Sequence, residues 1–469
     1  MDAKTREYSK ALLEEIEKRG IRDREKLNKL KLEIGAAMKI DRMPSNPDIL
    51  MNTKPSKKTR ELLALLAIKP LRTLSGVAPI AIMTKPINCP HGTCIYCPGG
   101  PNSAFGNVPQ SYTGNEPATM RAINNSYDPY RQTYNRLSQY YSTAHNPDKA
   151  ELIIMGGTFP SFPKEYREEF ITGAFCAAND FSKEFFTNGV FDSKKFSRAQ
   201  KNLPQEPLPK TTIEHEHEKN ERAKIRIVTL CIETKPDWCK EKEINEMLRL
   251  GATRVEIGAQ ALDNAILKYT NRGHTVEDTI EATRLLKDSG LKVTYHMMPG
   301  QPLSNPKKDV EMFKELFENP DFRPDGLKIY PCMVMPGTAL AKLYENGRFT
   351  PLTTQEAADI IAQGYKYFPE YTRVHRVQRD IPTKLSLGGI DKNNLRQLVE
   401  QKMREQGIVS RDIRQRESGI SSLRGIHTDY ENVELVERQY KASEWEEVFI
   451  SFEDTKNNTM IGFCRLRKP

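Results

Sequence analysis

Three cysteines within nine residues constrain this chain more than any other feature: Cys89, Cys94 and Cys97, spaced C-x4-C-x2-C. Thiolates bind soft metals and iron–sulfur clusters. A structural zinc wants four ligands. Three thiolates suit a four-iron cluster better, with one iron left for a non-protein ligand. Two other readings stay open. His91 would complete a Cys3His zinc set, and the cysteines could be unligated packing residues. Gly92, Gly99 and Gly100 let the loop turn tightly around a cluster.

A three-thiolate cluster with an open iron is the working part of a radical S-adenosylmethionine (SAM) enzyme. The open iron chelates the amino and carboxylate groups of SAM, and one electron cleaves the sulfonium to a 5′-deoxyadenosyl radical. Tyr96 stands between the last two cysteines, where such enzymes carry an aromatic. The spacing departs from the commonest C-x3-C-x2-C, so the triad alone names no particular enzyme.

The 469 residues imply two to four domains, and 38% hydrophobic content supports sizeable cores. No apolar run approaches the roughly 20 residues of a membrane span. The N-terminus reads as a charged amphipathic helix, not a signal peptide. Eight cysteines with one cluster do not make a disulfide framework and fit a reducing cytoplasm. The net charge of +9 permits a polyanionic partner. Residues 1–75 hold 18 basic against 11 acidic side chains, a net +7. They read as a basic helical module, with Lys57, Lys58 and Arg60 as candidate phosphate contacts, or as a solvated helical cap.

Strand patterns recur downstream: 77–83 before the cysteines, then 151–158, 225–232, 253–257, 291–297 and 326–330. Helical patterns lie between them, near 118–141, 163–200, 240–250 and 276–289. This alternation predicts an α/β fold with a parallel, barrel-like sheet of about six units. Gly156-Gly157-Thr158 closes the second strand, where exposed backbone can meet a ligand, or where the chain simply turns. Glu233 closes the third and could accept hydrogen bonds from a cofactor's ribose or amine. Residues 201–223 are polar and predict a mobile insertion, its His215 and His217 part of a solvated charge run. Residues 373–382 carry Arg373, Arg376 and Arg379 and read as a basic linker that contacts phosphate, or as a surface element with ordinary ion pairs. Residues 383–469 predict a small α+β domain with three strands. Cys176, Cys231, Cys239, Cys332 and Cys464 are isolated and read as packing residues.

CPHGTCIYCPGGP, QSYTGNEPATMRA, KAELIIMGGTF, CIETKPDWC, LKIYPCMVMPGT, RVHRVQRDIP and IGFCRLRKP together resemble the family of Elongator catalytic subunits. The resemblance is collinear over nearly the whole chain. It implies a partial (βα)6 radical SAM barrel over 76–372, joined to an acetyltransferase domain. The implied reaction adds a carboxymethyl group, derived from acetyl-CoA, to C5 of the tRNA wobble uridine in the anticodon loop. Cys89, Cys94 and Cys97 match the cluster ligands. Lys149 matches a family lysine that contacts acetyl-CoA, and Tyr96, Gly156, Gly157, Thr158 and Glu233 fall where SAM is held. An electron donor is implied, and a homodimer is compatible. The phosphate loop of an acetyltransferase, [QR]-x-x-G-x-[GA], is missing from 383–469. The chain is therefore expected to be a C-terminally truncated form. Another kind of radical SAM enzyme and a zinc-bearing tRNA-binding scaffold are the alternatives.

Overall fold

The computed structural model describes residues 3–41, 43–53, 59–67, 73–199 and 211–468. They form two compact units: residues 1–80, 129–151 and 172–228, and residues 81–128, 152–171 and 229–469.

The first unit begins with helices Ala3–Lys18, Arg24–Ala37, Asn46–Asn52 and Arg60–Leu66. Apolar residues at helical spacing give each helix one buried face. Tyr8, Leu12, Leu27, Leu30, Ile49 and Leu66 meet in one core, whereas Leu32 points into solvent. Asn46–Asn52 starts at a capping box formed by Ser45 and Asp48. Lys57 and Lys58 lie outside the described residues, as does the side chain of Arg60. The expected 163–200 helix is three pieces: Lys164–Phe185, a hairpin of Phe186–Thr187 with Val190–Phe191, and Ser193–Ala199.

The insertion is corrected too. Residues 201–210 lie outside the described residues, but Ile213–Glu221 is a helix capped by the Thr212 hydroxyl. It is anchored by polar groups rather than by an apolar stripe. Asn179 Nδ2 donates to Glu216 Oε2 at 2.8 Å, and Asn220 Nδ2 donates to Asn179 Oδ1 at 2.7 Å. His217 packs edge-on against Phe175, 4.4 Å between ring centres, so it is not a solvated charge.

A seven-stranded sheet runs in sequence order: β1 Ala78–Met83, β2 Lys149–Met155, β3 Arg226–Thr234, β4 Arg254–Gln260, β5 Lys292–Met297, β6 Gly326–Ile329 and β7 Arg373–Val377. The pairings from β3 through β7 are parallel. Six strands match the sequence pattern. The seventh is the stretch expected to be a linker. Val374 and Val377 are buried in register with β6, and Gly326 leaves room for His375 where a Cβ would come within 2.7 Å of its Nε2.

The expected helix over 118–141 is broken into Pro117–Asn124 and Pro129–Ser142, with left-handed Ser126 and Tyr127 between. Pro129 cannot donate to a continuing helix. In the second unit, helix Leu395–Glu405 packs on Thr354–Gly364. The last strands are β8 Val433–Ala442, β9 Trp445–Asp454 and β10 Thr459–Lys468, an antiparallel sheet. Its inner face stacks Tyr440 on Tyr371, ring centres 3.8 Å apart, and pairs Glu447 with Lys287 at 2.8 Å.

Candidate active site

The loop after β1 carries the three cysteines. Backbone turns close it, with Gly92 N–H on Cys89 O and Cys97 N–H on Cys94 O, and Gly92 sits at φ +89°. All eight cysteines are free. Each of the three clustered sulfurs meets a donor. Thr158 Oγ1 lies 3.8 Å from Cys89 Sγ, Arg272 Nη1 is 3.6 Å from Cys94 Sγ, and Ser111 N–H is 3.3 Å from Cys97 Sγ. Donors aimed at sulfur stabilise the anionic form and tune iron–sulfur centres. Burial, with repulsion from neighbouring Cys94 added, pushes the Cys89 thiol up and Cys97 to about 11, so an electrophilic metal is what would deprotonate them.

Tetrahedral zinc would hold its sulfurs about 3.8 Å apart. Among the described residues, no set of three candidate ligand atoms including these cysteines lies within 4.8 Å of one another. His91 Nε2 does approach Cys94 Sγ at 3.3 Å, and burial with Lys235 and Arg272 pushes its pKa down to about 4. The wide set of three thiols with surrounding donors fits a four-iron cluster better than zinc.

A cleft of about 110 Å³ opens beside the cysteines, and all of its lining belongs to the second unit. Strand ends build it, as in parallel barrels generally. Cys89, Tyr96, Gly157, Thr158 and Glu233 of the expected site come together there. Tyr96 packs among Cys94, Met298 and Cys332, and its hydroxyl is buried without a partner. Gly156 has a packing reason: at φ +114°, a Cβ there would sit 2.4 Å from Thr84 Oγ1. Glu233 is already engaged, accepting from Lys328 Nζ at 2.9 Å and from the Tyr112 hydroxyl at 3.3 Å.

The arginine triplet divides. Arg376 and Arg379 line the cleft. Arg376 pairs with Asp380, and Arg379 donates to Ser111 O while its guanidinium stands 5.7 Å from the Tyr112 ring centre. Arg373 instead pairs with Glu417 at 2.5 Å, outside the cleft. Lys149 is the exposed first residue of β2, whereas Met155 at the strand's other end lines the cleft.

Sequence reasoning missed Arg272, Lys235, His296 and Tyr330, which also line the cleft. Arg272 Nη2 is held by Gly258 O at 2.8 Å, and burial depresses the Lys235 ammonium, with Arg272 adding repulsion. A cationic wall beside thiols suits a carboxylate-bearing cofactor. Three of these residues sit at or beside strand C-terminal ends, which is the one signal that could have marked them.

The sequence profile of the Radical SAM superfamily matches residues 85–316, and that of the Radical_SAM C-terminal domain matches 324–405. The second match runs through helix Leu395–Glu405. The tRNA uridine(34) acetyltransferase of Methanocaldococcus jannaschii is 46% identical over 463 residues, 98% of this chain and 80% of that protein. Human Elongator complex protein 3 is 40% identical over 447 residues, 94% of this chain and 76% of that protein. The solved structure of Methanocaldococcus infernus Elp3 with its N-terminus deleted superimposes with a TM-score of 0.69 at 42% identity, over 84% of this chain and 78% of that one. The chain belongs to the radical SAM family that includes archaeal tRNA uridine(34) acetyltransferase and Elongator complex protein 3.

Proposed function

We propose that this protein carboxymethylates C5 of the tRNA wobble uridine, using SAM and acetyl-CoA. The observation that carries the reading is the set of three free thiols on the loop beside the cleft, each sulfur met by a hydrogen-bond donor. When bound there, a [4Fe–4S] cluster supplies the electron that turns SAM into a 5′-deoxyadenosyl radical. Cys89, Cys94 and Cys97 hold it. Arg272 and Lys235 offer cations to the SAM carboxylate, and the Gly157–Thr158 backbone lies open beside them. Tyr96, Met298 and Cys332 wall the site with apolar surface that keeps water from a reactive radical. Arg376 and Arg379 supply cations for the phosphates of a splayed anticodon loop, where a stacked base is read in single-stranded RNA. Lys57, Lys58 and Arg60 are read as further tRNA phosphate contacts, and Lys149 meets a CoA phosphate as a point charge. Residues 1–75 are read as the basic helical module and the β8–β10 sheet as part of the acetyltransferase domain. A cytoplasmic site, a separate electron donor and a homodimer complete the reading. No helix among the described residues is long and apolar enough to cross a membrane.

Anaerobic reconstitution with iron and sulfide tests this. Incubation with dithionite, SAM, acetyl-CoA and tRNA should release 5′-deoxyadenosine that rises with acetyl-CoA and should yield carboxymethyluridine by mass spectrometry. Cys94→Ala should lose iron and SAM cleavage while keeping its tRNA affinity. Zinc without iron in the anaerobic protein, or SAM cleavage in Cys94→Ala, would overturn the reading.

A further inference from the structure

His296 is the one imidazole lining the cleft among the described residues. It stands near the C-terminal end of β5 with 13% of its side chain exposed. Its Nε2 lies 2.8 Å from Oε2 of Glu256, a carboxylate with no solvent exposure. Burial pulls the Glu256 carboxyl up, but Lys328, Arg254 and His296 outweigh it and hold it ionised. An ionised carboxylate only accepts, so Nε2 donates its proton to Glu256, and the neutral form of the ring then has its free lone pair on Nδ1. Nδ1 takes no hydrogen bond among the described residues. A buried carboxylate behind an imidazole that faces a cleft is the arrangement of a general base.

Glu233, Glu256 and His296 converge closely enough to suggest a metal site. The Lys328 ammonium already occupies it, 2.9 Å from Glu233 and in direct contact with Glu256. Those contacts also remove Lys328 and Glu233 as bases. Tyr112 and Tyr330 are phenols that burial keeps protonated.

We propose that His296, oriented by Glu256 as a positioning residue, is the catalytic base that takes the C5 proton of the target uridine. The proposal rests on the carboxymethylation reading above. Adding a carbon radical to C5 forms one C–C bond, makes C5 tetrahedral and leaves an unpaired electron at C6. Restoring the C5=C6 double bond breaks the C5–H bond. The proton goes to His296 Nδ1. One electron of that bond pairs with the C6 electron, and the other passes to a one-electron acceptor of the iron–sulfur class.

The test uses reconstituted full-length protein and tRNA carrying protium or deuterium at uridine C5. His296→Gln should lower carboxymethyluridine about 100-fold or more. Acetyl-CoA-dependent 5′-deoxyadenosine release should be little changed, because hydrogen abstraction precedes the proton transfer. The residual product should show a deuterium isotope effect larger than that of the wild type. Parallel loss of deoxyadenosine and product, or unchanged product, would overturn the proposal. Histidine ¹⁵N NMR of the wild-type protein checks the tautomer independently of turnover and of variant folding: a protonated Nδ1 at neutral pH, whether or not Nε2 is also protonated, would overturn it. Wild-type protein that makes no carboxymethyluridine would instead refute the function reading, and the base assignment with it.

Discussion

At the scale of single residues, Arg272 and Gly258 act as one device. Gly258 O anchors the guanidinium, and a Cβ at 258 would stand 2.3 Å from Arg272 Nη2. A charge-assisted hydrogen bond to a carboxylate contributes about 1.5–3 kcal/mol. Arg272→Gln should therefore weaken SAM binding roughly tenfold or more, and Gly258→Ala should shift it the same way by displacing the guanidinium. Equilibrium dialysis with labelled SAM checks both. Wild-type affinity in Gly258→Ala would show that the placement of Arg272 is immaterial. The cysteines were legible because their grouping is local. Arg272 was not, because 178 residues separate it from Cys94 and no spacing rule links them.

At the scale of elements, the loop after β5 hangs on one buried carboxylate. Asp309 Oδ2 accepts the Gly300 N–H at 2.8 Å and Oδ1 accepts the Ser304 hydroxyl at 2.6 Å. Burial nevertheless pushes its pKa up to about 6. The ionised form is thus the costly one in the folded state. The stabilising contribution of the protonated Asp309 carboxyl is complete below the ordinary aspartate pKa, about 4, and is lost as pH rises through about 6. The span corresponds to about 3 kcal/mol. Asp309→Asn can keep both hydrogen bonds, with Oδ1 on Gly300 and Nδ2 donating to Ser304 Oγ. Melting curves from pH 4 to 7 should show a smaller fall in stability for Asp309→Asn than for the wild type. An identical pH dependence would contradict the assignment. Element types followed the hydrophobic period well, as the six strands show. The errors fell where another force decided: the Asn179–Glu216–Asn220 hydrogen bonds order a polar helix, and buried Val374 and Val377 turn an arginine-rich stretch into a strand.

At the scale of the whole molecule, a net charge of +9 favours a polyanion, but placement decides what it grips. Arg376 and Arg379 line the cleft while Arg373 pairs with Glu417. The double variant Arg376→Ala and Arg379→Ala should reduce the slope of log affinity for tRNA against log salt by roughly 1.5–2. Arg373→Ala should leave the slope near the wild-type value. Binding isotherms at several salt concentrations check this, and equal slopes in all three proteins would remove the cleft arginines from the tRNA contact. Removing residues 1–75 is a poor test of the same idea, because Ala144 of the remaining chain packs against the core those residues form.

The sequence by itself determined the thiolate triad, the βα alternation and the glycine-ended second strand, since each is written in neighbouring residues. Only the tertiary structure decided which charges face the cleft. Glu233, Glu256, His296 and Lys328 lie on four different strands and meet at one point. Buried charges must be paired, and the partner that satisfies each one is chosen by the closing of the sheet rather than by distance along the chain.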